Sequence, residues 1–194
     1  MDSHPTPLRI RRRRLAARVA AAATVAAVTA LAVGVAFAAS DKRDLDLSAV
    51  RHVDATTVSG RIAVTIDPGA SGTADAPLDL ASTNGRVAVT GARAELRIRN
   101  TNGSVEIADL TLPAGSASRA QSVNGSITVR GLASPAALEI TGNVSNGGVT
   151  VSLDNAAVTY PGSGHGRSFR ATTDGEGYAS LDLRTVNGSL TVRR

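Results

Sequence analysis

Four sets of residues have types that could do chemistry. The first is the glycine-rich run GSGHGRS at 162–168. A phosphate-cradling loop places four residues between its glycines, follows them with a lysine, and joins a strand to a helix. Here the spacing differs, no lysine follows, and no helical pattern succeeds the run, which reads as a surface loop. The second set is three histidines, His4, His52 and His165, no two of which have the spacing of metal ligands. The third is a scatter of single carboxylates: Asp67, Asp75, Asp79, Glu95, Glu106, Asp109, Glu139, Asp154 and Asp174. Polysaccharide-cleaving β-helices use paired carboxylates, or a carboxylate-held calcium beside a basic residue. No such pair shows in the sequence, although stacking strands can bring separate acids together. The fourth is a group of arginines, Arg86, Arg97, Arg99, Arg130 and Arg184, expected to face outward; the acids between them suggest a solvated face. The chain has no cysteine, which excludes disulfides, zinc–thiolate sites, thiol catalysis and a lipidated-cysteine anchor. No catalytic, cofactor or metal residue is assigned, and the chain reads as a non-enzyme.

Charge points the same way. The formal net charge is +5, with 21 basic and 16 acidic residues. Arg9, Arg11, Arg12, Arg13, Arg14 and Arg18 supply six of the basic ones, and Asp2 is the only acid before Asp41. From residue 40 onward 15 basic residues therefore face 15 acidic ones. Nucleic-acid binding needs a clustered excess of cation. Only the N-terminus has one, so no nucleic-acid partner is expected.

That N-terminus has the parts of an export signal. Basic residues at 9–14 precede an uncharged, mostly apolar run at 19–39, and Ala36-Phe37-Ala38 fits the small-x-small rule for cleavage. Cleavage would leave a chain starting at Ala39. Uncleaved, the run of 21 residues is about long enough to span a bilayer as one hydrophobic helix. Both readings stand at this level, and both leave the arginines cytoplasmic and the rest outside. The expected organisation is a segment 1–40, holding the basic region and the signal peptide or anchor, and a β-strand-repeat domain at 41–194.

What must position any site in that domain is a repeat. Six copies align on Asn-Gly or Ser-Gly: VDATTVSGRIAV (53–64), LDLASTNGRVAV (78–89), LRIRNTNGSVEI (96–107), SRAQSVNGSITV (118–129), ITGNVSNGGVTV (140–151) and LDLRTVNGSLTV (181–192). Counting the Asn or Ser as zero, position +1 is Gly and positions +3 and +5 are aliphatic in every copy. Period-two alternation puts +3 and +5 on one face of a strand, and −6 and −4 on one face of the strand before it. The turn positions are Gly60, Asn84, Gly85, Asn102, Gly103, Asn124, Gly125, Asn146, Gly147, Asn187 and Gly188, and glycine tolerates positive φ there. The asparagines could stack as a ladder of amides along one corner. Beyond Phe37 the only aromatics are Tyr160, Phe169 and Tyr178, so the core must be thin and aliphatic.

The pattern fits two all-β architectures. Asn-Gly between alternating strands signals a β-hairpin, which would give an antiparallel meander or barrel. The glycines at 60, 85, 103, 125, 147 and 188 are separated by 25, 18, 22, 22 and 41 residues, the last close to two turns of about 20. Such periods, with Ser, Thr or Asn usual at −2, favour a β-solenoid of about seven short coils with Asn-Gly corners. The insertion at 160–170 interrupts the rhythm and is expected to loop out. Arg193 and Arg194 charge the last strand, which is expected to discourage end-to-end pairing and keep the chain a monomer.

The recurring T-N-G-x-V-x-V pattern resembles the bacterial adhesin-like family of β-strand-repeat domains, also described as toastrack domains, over about residues 44–194. The spacing after Val151 departs from that pattern. The resemblance implies an extracytoplasmic, often membrane-tethered β-solenoid that serves in adhesion, or in envelope-stress sensing and scaffolding, and it brings no catalytic residues. The expected partner is an envelope component or another protein, with the membrane engaged through the N-terminal segment if that is uncleaved. A carbohydrate-active β-helix enzyme is the reading from a different class.

Overall fold

The computed structural model describes residues 17–30, 42–45, 52–66, 76–161 and 167–194. All regular elements among them are strands. In order they are β1 (Ala17–Ala30), β2 (Lys42–Leu45), β3 (Val53–Thr65), β4 (Leu78–Thr90), β5 (Leu96–Asn102), β6 (Val105–Ala108) and β7 (Ala117–Asn124). Then follow β8 (Ile127–Arg130), β9 (Ala137–Asn146), β10 (Val149–Ser152), β11 (Ala156–Thr159), β12 (Arg167–Thr173), β13 (Tyr178–Asn187) and β14 (Leu190–Arg193). The backbone of β1 pairs antiparallel with β2 and β3. The N-terminal hydrophobic helix expected before residue 40 falls in this part, outside the residues whose side chains are described. Among the described residues no helix is long and apolar enough to cross a membrane.

Each repeat supplies one strand on either side of its Asn-Gly or Ser-Gly. In the first two copies β3 and β4 run straight through; in the others the corner splits the repeat into β5/β6, β7/β8, β9/β10 and β13/β14. The two halves of one repeat do not pair with each other. They pair in parallel with the same halves of other repeats, position for position: Asn84 with Asn102, Asn102 with Asn124, Val87 with Val105, Val105 with Ile127. Antiparallel hairpins at Asn-Gly therefore do not form. The sheet bends at the corner so that its halves face each other, nearly closed and barrel-like.

The inward columns make the core. Leu78, Leu80, Leu96, Ile98, Leu181 and Leu183 from the first halves meet Val87, Val89, Val105, Ile107, Ile127 and Val129 from the second, and all are buried. A third side closes the interior, where the segments after β4, β6 and β8 bury Ala92, Leu110, Leu112 and Leu132. Thr111 and Ala133 form an isolated parallel bridge there. Small aliphatic side chains suffice because each layer is covered by the layers on both sides, as in other stacked repeats.

The stacking order departs from the chain order. A solenoid laid coil upon coil would put repeat six after repeat five. Instead β13 lies between β7 and β9, and β14 between β8 and β10. Repeats four and five are joined only through repeat six. Nor do the described residues form the expected seventh coil: between repeats five and six the chain forms an antiparallel pair, β11 with β12, and β12 closes antiparallel on β9. The expected loop at 160–170 thus ends inside a strand, because Phe169 is a core residue with Gly142 as its partner across the strands. A Cβ at Gly142 would overlap the Phe169 ring, so this aromatic fills the space left where repeat five lacks a side chain at −4. The charged end, Arg193-Arg194, sits beside an interior strand and not on an edge. At this end of the stack the sheet finishes at β10 on one side of the corner and β11 on the other, and beyond β3 it finishes at β1 and β2, which removes the reason given above for a monomer.

Candidate functional site

Stacking turns one recurrent dipeptide into two continuous features. The first is a column of glycines, Gly60, Gly85, Gly103, Gly125, Gly188 and Gly147, all at positive φ. The local turn is only half the reason for them. At Gly103 φ is 129°, and a side chain there would overlap the carbonyl oxygen of Gly85 in the next layer, whose carbonyl carbon would lie 2.8 Å away. The corners are also hydrogen-bonded to one another: Gly103 N–H donates to Asn124 O (2.8 Å) and Gly125 N–H to Asn187 O (2.8 Å). A methyl group cannot enter without prising two layers apart.

The second feature is an exposed ladder of side-chain amides. Asn102 Nδ2 donates to Asn84 Oδ1 (2.7 Å), Asn124 Nδ2 to Asn102 Oδ1 (2.9 Å), Asn187 Nδ2 to Asn124 Oδ1 (2.8 Å) and Asn146 Nδ2 to Asn187 Oδ1 (2.9 Å). Ser59 stands at its head beside Asn84. Two positions before Asn84, Asn102, Asn124 and Asn187, a buried polar column of Ser82, Asn100, Ser122 and Thr185 lies under the corner. Thr185 Oγ1 donates to Gly125 O (2.8 Å) and Asn100 Nδ2 to Gly85 O (3.2 Å). At Asn100, Ser122 and Thr185 the polar residue at −2 thus satisfies a corner carbonyl of the adjoining layer. Asn124→Ala removes one donated and one accepted amide bond at an exposed site. It should lower stability by about 1 kcal/mol, read as a shift in the urea midpoint, while Asn124→Gln should lose less.

The outer face of the first-half sheet carries the charge. Arg97 pairs with Glu95 (3.1 Å), Arg119 with Asp182 (3.1 Å), Arg184 with the same Asp182 (3.0 Å), and Arg170 with Glu139 (2.9 Å). The arginine side chains are 57–63% exposed, the acids only 20–29%. Pairs this exposed add little stability; their effect is to hold guanidinium groups upright above a lower layer of carboxylates. Arg99 has no ion pair among the described residues. The Tyr178 hydroxyl donates to Glu139 Oε2 (3.1 Å), which raises the phenol above its ordinary pKa, chiefly through that hydrogen bond.

The arginines singled out in the sequence separate here. Arg97, Arg99 and Arg184 share this face, joined by Arg119, whereas Arg86 and Arg130 lie on the second-half sheet. Arg119 was overlooked because its copy, SRAQSVNG, has the weakest alternation; its in-register place beside Arg97 was the available signal. Of the histidines, only His52 is among the described residues. Within them, no three His, Asp or Glu side chains gather as a metal site would require. No family model matches the chain, nor does any curated protein or solved structure.

Proposed function

We propose that this chain is a non-enzymatic, extracytoplasmic β-repeat module of the adhesin-like kind, acting as an envelope-associated interaction scaffold. In this reading the domain is a β-solenoid of six coils, modified by setting the sixth between the fourth and fifth. The observation that carries the reading is the register: corners, amides and outward side chains repeat layer by layer, at about 4.8 Å, on a scaffold held at every layer. Such a surface offers a partner many equivalent contacts and little depth, which suits binding along an extended surface better than enclosing a small substrate. The basic segment at 9–14 followed by the apolar run at 19–39 supports the location.

The test is to fractionate cells producing the whole chain and to sequence its N-terminus. A soluble form beginning at Ala39 means secretion, and an intact arginine-rich start in the membrane pellet means tethering. A soluble cytoplasmic chain with its first residues intact overturns the proposal.

A further inference from the structure

We infer that the outer face of the first-half sheet, around Arg97, Arg99, Arg119 and Arg184, binds a linear carboxylated polysaccharide laid along the stack, across the strands. The inference names the partner class of the interaction module proposed above and rests on that reading.

Three observations carry it. First, the cations are of one kind. Lys42 is the only lysine among the 21 basic residues, so every cation on this face is an arginine. A guanidinium is a planar fork that matches a carboxylate bidentately, which an ammonium is not. Second, two of the forks are held with donors to spare, whereas Arg97 gives both Nε and Nη2 to Glu95. Asp182 takes Nε of both Arg119 and Arg184, leaving their terminal nitrogens outward over acids that are largely covered. Third, the cations stand in two rows along the stack. In one, Arg97 and Arg119 occupy adjacent layers, about 4.8 Å apart, with Asp79 and Asp182 in register on either side; in the other, Arg99 and Arg184 lie two layers apart with Gln121 between them. Two open grooves adjoin here. One, of about 410 Å³, is lined by Arg97, Arg99, Arg119, Gln121 and Asp182. The other, of about 500 Å³, shares Arg99 and Gln121 and continues past Thr101, Asn143, Ser145 and Arg184.

The mixture selects the ligand. A polymer that carries one carboxylate per sugar and hydroxyls between them finds both forks and hydrogen-bonding side chains along these rows. A phosphodiester chain, with few hydroxyls, would leave the amides and hydroxyls without partners. A neutral glycan would leave the arginines unused, and the exposed aromatics among the described residues, Tyr178 and Tyr160, lie at the far end of β13 and just past β11.

The test uses the whole chain and three probes: polygalacturonate, its methyl-esterified form with the same backbone and no charge, and a single-stranded oligodeoxynucleotide of equal charge. The N-terminal arginines attract any polyanion, so variants of the face decide the matter. Polygalacturonate should bind, more weakly as salt rises, and both other probes should bind at least about tenfold less tightly. Arg97→Gln with Arg119→Gln should weaken polygalacturonate about tenfold or more. Arg86→Gln with Arg130→Gln, on the other sheet, should change it less than about twofold. All four side chains are exposed, and circular dichroism checks that both variants stay folded. Equal binding of the ester or the oligonucleotide, or a face variant that binds like the parent chain, overturns the inference. The assay is independent of location, so a cytoplasmic chain would sink the compartment reading without deciding this one.

Discussion

Gly103→Ala lowers the stability of the stack by about 2–5 kcal/mol, by the arithmetic of its corner. Alanine at positive φ costs about 1–2 kcal/mol, and forcing a methyl group into a packed interior costs about 1–3 more. The second cost is set by the neighbouring layer. The atoms in the way are the backbone carbonyl of Gly85, which is part of that layer's own corner, and no rotamer change relieves the overlap. Asn124 O, in the layer on the other side, accepts the Gly103 N–H at 2.8 Å, so the corner has no room to retreat from Gly85. Gly148→Ala is the matched control, one residue beyond a corner glycine, where an added Cβ meets nothing within 4 Å. It should leave the urea midpoint where it is, or raise it slightly by restraining the unfolded chain. A Gly103→Ala protein within about 1 kcal/mol of the parent would show that the layers are not held this closely.

The largest effect should come from ending the chain after Gly177, and its pattern is more telling than its size. The lost segment buries Ala179, Leu181, Leu183, Leu190 and Val192. At about 1.5–3 kcal/mol for each of the four larger side chains, that is roughly 6–12 kcal/mol, comparable with the roughly 5–15 kcal/mol that holds a typical domain together. In a stack laid in chain order, losing the last coil frays one end and leaves the remainder. Here repeat six is the only bridge between repeats four and five. Removing it strands β9, β10 and the β11–β12 pair and uncovers one side of β7 and β8, while β3 to β6 keep their neighbours. Hydrogen exchange should therefore show lost protection at 137–173, weakened protection at 117–130, and preserved protection at 78–108. Leu183→Asp, which puts a charge at a fully buried position, should produce the same pattern in the whole chain. Intact protection of β9 in the shortened protein would mean that repeat five can lie directly on repeat four, and the insertion would then be incidental to stability.

Much of the candidate surface was legible in the residues, and the reasons are local. Alternation has period two, so LDLASTNGRVAV declares which side chains face inward without reference to any other copy. Glycine at +1 in all six copies marks the corner because few other residues tolerate that backbone. The amide ladder follows once like corners stack. The arginine face was less legible. Arg86 and Arg97 look equivalent on the line of the sequence, yet they fall on different sheets because one follows its corner and the other precedes it.

The sequence by itself determined the repeating unit of this protein: strand, glycine corner, strand, with aliphatic residues inward and polar residues outward. Only the tertiary structure decided which unit lies on which. Six similar cassettes present similar edges, and backbone hydrogen bonds do not distinguish one copy from another, so strand order cannot be read from any of them singly. It was set by long-range fit. Phe169 occupies the space over Gly142, β12 covers one side of β9, and the other side is left for the last repeat to enter.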